Sequence, residues 1–86
     1  MTDFVTEYEV TAVGDHIGSG YEAVTVMPIY ETVQLKNSEI LRFMDLFIPN
    51  RSIAIRFMVR DEIRIRYPEL RNLRIAEIQI VEPSDL

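Results

Sequence analysis

At 86 residues, 48% hydrophobic and 27% charged, the chain has the size and composition of one folded domain, 1–86, rather than a disordered segment. It has no cysteine, which excludes disulfides, thiolate chemistry and the common structural zinc sites, and points to a cytoplasmic setting. Fourteen acidic residues against nine basic ones leave a net charge of −5, which argues against general nucleic-acid binding.

The opening MTDFVTEYEV lacks the basic and apolar runs of a secretory signal. Phe4 to Val13 reads as a strand, with Phe4, Tyr8, Val10 and Ala12 on one face and Glu7, Glu9 and Thr11 on the other. The next segment, GDHIGSG from Gly14 to Gly20, holds all three glycines and reads as a loop. Tyr21 to Met27 is a second, β-branched strand, so the N-terminal part is a hairpin. Pro28 cannot donate to a ladder, so it either ends that strand or places it at a sheet edge. Whether Tyr30–Leu35 continues the strand stays open.

Asn37 or Ser38 can cap a helix running to about Ile48. Ile40, Phe43, Met44 and Phe47 recur at the spacing of one buried stripe, and Pro49 ends the segment.

Arg51 to Tyr67, RSIAIRFMVRDEIRIRY, fits two templates. Ile55, Val59, Ile63 and Tyr67 lie four apart, so they line one helix face and one strand face equally well. Ile53, Phe57 and Ile65 separate the two readings: core in a strand, off the buried stripe in a helix. Ser52 as a cap, Tyr67-Pro68 as an exit and the lack of a hairpin turn near Arg60-Asp61-Glu62 favour the helix. A hairpin is the alternative. Leu70 to Asn72 is a connector, Leu73 to Val81 a last strand with Ala76, Ile78 and Ile80 on one face, and 82–86 a frayed tail. The expected architecture is a small α+β two-layer sandwich of order β-β-α-α-β, its hairpin and C-terminal strand covered by two helices. The hairpin alternative would give a five-stranded sheet with one helix. No apolar run approaches the roughly 20 residues of a membrane span, so no membrane partner is expected.

Charge is the main functional clue. Residues 1–49 carry eight acids and two basic residues, whereas seven of the nine basic residues are arginines between Arg51 and Arg74. In a helix, Arg56, Arg60 and Arg64 form one stripe beside Ile53 and Phe57, and arginine with aromatic neighbours is the usual composition of an interface anchor. Glu7 and Glu9, with Glu22 across the hairpin, form an acidic sheet face. His16 beside Asp15 is a conceivable proton-transfer pair with nothing to complete it, and reads as a solvated loop residue. The glycine loop lacks the lysine and following helix of a phosphate cradle. No metal or cofactor site and no catalytic group is expected. These features describe a non-enzymatic protein-interaction domain, self-associating or inhibitory, with Ile53, Arg56, Phe57, Arg60, Arg64, Glu7 and Glu9 as its interaction residues. The partner is another protein or a second copy. The alternative is a nucleic-acid-binding module that uses the 51–74 arginine band.

Overall fold

In a computed structural model, which describes residues 3–18 and 24–81, five elements follow in the order β-β-α-α-β. They are β1 (Val5–Ile17), β2 (Val24–Lys36), α1 (Asn37–Leu46), α2 (Arg51–Arg66) and β3 (Arg71–Ile80). The strands form one antiparallel sheet in the order β2-β1-β3, with both helices on the same face. This is the expected α+β two-layer sandwich.

Period-2 alternation sets the core. Tyr8, Val10 and Ala12 of β1 point under the helices, as do Ile29, Val33 and Leu35 of β2 and Leu73 and Ile75 of β3. From above, α1 contributes Ile40 and α2 contributes Ala54, Val59 and Ile63, all fully buried. Ile55, Met58 and Tyr67 extend the α2 stripe. The helical reading of 51–66 therefore holds, and Ile53, Phe57 and Ile65 are exposed. Asn50, not Ser52, is the cap: its side-chain oxygen accepts from the Ile53 N–H at 3.1 Å.

Several local expectations change. Gly14 to Ile17 is strand, not loop, because β1 stays paired with β2 as far as Ile17 opposite Val24. Gly14 is buried where Leu70 descends onto the sheet; a Cβ there would lie 3.0 Å from Leu70 Cβ and Cδ1. Tyr21, Glu22 and the rest of the loop lie outside the described residues, as does the 82–86 tail. β2 runs unbroken through Pro28 to Lys36. The Asn37 N–H donates to the Phe4 carbonyl at 2.7 Å, so even-numbered β2 residues turn their backbone polar groups away from β1. Pro28 is one of these, which is why the ladder loses nothing to its missing N–H.

Helix α1 is capped from a distance. Neither Asn37 nor Ser38 caps it; Asp3 accepts from the Ser38 N–H at 3.0 Å and from its hydroxyl at 2.6 Å. These bonds hold the Asp3 carboxyl below its ordinary pKa. The α1 stripe is only partly buried. Ile40 is enclosed, Phe43 and Met44 are half-buried, and Phe47 is 68% exposed, its ring 5.1 Å from that of Phe43. Phe4, expected on the buried face of β1, is also exposed, because it precedes the part of the strand that the helices cover.

Strand β3 carries irregularities opposite Thr11/Ala12 and Val13–Asp15. At the first, Ala76 is an extra residue, so Leu73 and Ile75 share the core face with Ile78, and Ala76 is exposed. At the second, Asn72 adopts φ 52, a left-handed conformation asparagine tolerates.

Candidate interaction site

Helix α2 sends an arginine to each outer strand. Arg56 Nη2 donates to the Ile75 carbonyl at 2.8 Å, at the β3 bulge. Arg66 Nη1 donates to the Thr32 carbonyl at 2.8 Å, an outward-facing group of β2. Each arginine thus occupies a carbonyl on an open strand edge, where a charged group discourages pairing with another strand. Arg66 also meets Glu31 at 2.9 Å and Glu62 at 3.3 Å. Glu31 accepts the Tyr67 hydroxyl at 2.8 Å. The Tyr67 bond and then Arg66 lower the Glu31 pKa, while the bond to Glu31 raises that of Tyr67.

Arg51 donates to the Asn37 side chain at 3.0 Å, and Arg60, Arg64 and Arg71 line a groove between α2 and β3. It consists of two adjoining hollows of about 410 and 320 Å³ that share Arg60, Asn72 and Leu73. The first is flanked by Arg56 and Phe57, the second by Arg64 and Arg71. Among the described residues no carboxylate lines either hollow. Among the described residues, Arg60, Arg64 and Arg71 form no ion pair; Arg74, which also lines the first hollow, is held by Asp15 at 3.1 Å. The Arg60 Nε is removed from solvent without a hydrogen-bond acceptor among the described residues.

The structure thus brings Arg56, Phe57, Arg60 and Arg64 to one groove. Ile53 stands one turn before Phe57, also 44% exposed. Arg71 and Asn72 belong to the groove but read as connector in the sequence. The signal for them is the pair of irregularities in β3, which linear alternation does not display.

Among the described residues no element covers the sheet face opposite the helices. At its base stand Glu7 and Glu9, as expected, joined by Glu77, which the Ala76 bulge brings to this face beside Thr11. Gln34 donates to Glu7 at 3.1 Å and Gln79 to Glu77 at 2.8 Å. Glu22 lies outside the described residues. Toward the hairpin tip the same face turns apolar: Ile17, Val24 and Val26 are each about half exposed and Tyr30 more so. Here the hairpin projects past the helices, and Met27 on the helix side is also exposed. The radius of gyration, 15.2 Å, exceeds the roughly 12 Å of a compact chain this long.

His16 and Asp15 do not form a pair. Successive strand residues point to opposite faces, and Asp15 turns to Arg74 and Asn72. Among the described residues no three His, Asp or Glu side chains cluster as metal ligands, and no helix is long and apolar enough to cross a membrane. No family model, no curated protein and no solved structure matches the chain.

Proposed function

We propose that this chain is a non-enzymatic, cytoplasmic protein-interaction domain that associates with copies of itself, the arginine groove of one copy receiving the acidic sheet base of another. One observation carries this reading: the two charged surfaces lie on opposite sides of the sheet. Among the described residues Glu7, Glu9 and Glu77 form no ion pair with Arg60, Arg64 or Arg71, so each set is open to a partner. Charge complementarity sets rate and register, and the exposed Ile53 and Phe57 beside the groove supply apolar contact. A contact between two different patches is heterologous, so it builds rings or chains rather than a two-fold dimer.

Light scattering on a sizing column tests it. The native chain is expected to form dimers or larger species whose population falls in high salt. Arg60→Glu/Arg64→Glu and Glu9→Lys/Glu77→Lys are each expected to be monomeric. Mixed, they are expected to associate again, because the intact groove of one meets the intact acidic face of the other. A native chain that stays monomeric at high concentration in low salt removes the self-association.

A second reading, nucleic-acid binding through the same band, has one observation in its favour: the helix sets Phe57 beside Arg56 and Arg60, and an aromatic beside cations can stack a base. Fluorescence titration with single- and double-stranded nucleic acid at two salt concentrations decides it. Binding must weaken steeply with salt and fall further in Arg60→Glu.

A further inference from the structure

We infer that the smaller hollow of the groove, between Arg60 and Arg64 of α2 and Arg71 and Asn72 of β3, is a seat for a phosphomonoester group, with the larger hollow beside Phe57 taking the substituent it carries. The inference rests on the groove described above but not on self-association.

Three arginines, Arg60, Arg64 and Arg71, line it, with no carboxylate among the described lining residues. Like charges held together repel, and Arg60 in addition keeps its Nε desolvated without an acceptor. An anion relieves the repulsion, and a shift of the Arg60 side chain toward it restores a partner to that nitrogen. Arg56, Arg74 and the Asn72 amide are not counted as donors, since the first is bonded to the Ile75 carbonyl and the other two to Asp15.

The number of donors selects the anion. A carboxylate offers two oxygens and one charge, whereas a phosphomonoester offers three oxygens and a charge of about −1.5 to −2 at neutral pH. Arginine matches phosphate oxygens in pairs, so three arginines are better satisfied by the larger anion. The opposing field is the C-terminal end of α2, equivalent to about half a negative charge, which three guanidiniums outweigh. Size agrees as well: at about 320 Å³ the seat is roomier than a bare phosphate needs, and it opens into a 410 Å³ hollow with Phe57 and Leu73 on its walls. A substituent with a flat or apolar surface fits that second space.

Nitrogen-15 NMR of the arginine Nε–H groups gives a direct readout on the whole chain. Inorganic phosphate, adenosine monophosphate and phosphoserine are titrated at constant ionic strength, with acetate and chloride as controls. Saturable shifts are expected at Arg60, Arg64 and Arg71 with all three phosphates, and at least about tenfold weaker affinity for acetate, the loss of one charge-assisted hydrogen bond. Arg60→Gln is expected to weaken phosphate binding by a similar factor; Arg64→Gln, at an exposed site, serves if Arg60→Gln alters the fold. Tighter binding of the nucleotide than of free phosphate identifies a nucleoside phosphate, tighter phosphoserine identifies a modified protein, and equality shows that the phosphate group alone is read. Linear shifts that are alike for acetate and phosphate, or unchanged affinity in both glutamine variants, overturn the seat. Salt-dependent association persisting alongside that result would leave the interaction surface standing without it.

Discussion

Replacing Gly14 by alanine sets two effects of known size against each other. Alanine is favoured over glycine within a strand by about 0.5–1 kcal/mol, because glycine loses more backbone freedom on folding. Against this, the new methyl would lie 3.0 Å from both Cβ and Cδ1 of Leu70 and 3.5 Å from Cγ. Cδ1 can swing away, since Leu70 is only half-buried, but Cβ is fixed to the backbone of the turn that leads into β3. Overpacking of this kind costs about 1–3 kcal/mol. The net expectation is a loss of about 1 kcal/mol, which lowers the melting temperature of a domain this size by about 4–8 °C. Urea denaturation of Gly14→Ala, Leu70→Gly and the double variant measures it. Leu70→Gly removes Cβ together with Cγ and Cδ1, so the alanine penalty should fall by at least half in that background, a coupling of about 0.5–1 kcal/mol. A more stable Gly14→Ala, or a penalty equal in both backgrounds, would refute the claim that Leu70 is what requires glycine here.

Ile63→Ala should cost about 3–5 kcal/mol by urea denaturation, because a fully buried side chain loses three carbons and leaves a cavity under α2. Stability should also depend on pH at both ends. The lowered pKa values of Glu31 and Asp3 contribute stability that is present above their ordinary values of 4.5 and 3.8 and is lost as pH falls through the folded-state values. The raised pKa of Tyr67 contributes stability present below 10.0 and lost as pH rises through the higher folded-state value. Thermal melts of Glu31→Gln across pH should show a shallower acid limb than the native chain; an identical limb excludes the Glu31 cluster as its source. Pro28→Val adds an N–H to the outer edge of β2 within the uncharged run from Val24 to Ile29, and should increase salt-insensitive, concentration-dependent association. Unchanged light scattering would show that the proline does not guard that edge.

The order of elements and most of the core were legible in the sequence because each rests on a local period. Tyr8, Val10 and Ala12 alternate, and Val59 and Ile63 stack one turn apart. The errors occurred where distant residues decide. Gly14 looks like a turn glycine until Leu70 is placed above it. Asp3 caps a helix that begins more than thirty residues later. Ala76 breaks the β3 alternation, and that one inserted residue puts Glu77 on the acidic face. For the site, the arginine stripe of α2 was readable from its four-residue spacing. Its opposite wall was not, since Arg71 and Asn72 meet α2 only through the fold. Nor did the spacing disclose that Arg56 and Arg66 are committed to strand edges.

The central strand has one consequence for how the molecule is made. β1 pairs with β2 through a short loop, but its other edge waits for β3, with Tyr8 meeting Ile80. On the ribosome β3 is made after β1, β2 and both helices. Until β3 emerges, one edge of β1 has no cover, and pairing across so long a stretch of chain is slow. The nascent hairpin is therefore the species that a chaperone would meet, and shortening the chain anywhere within β3 should expose it for good.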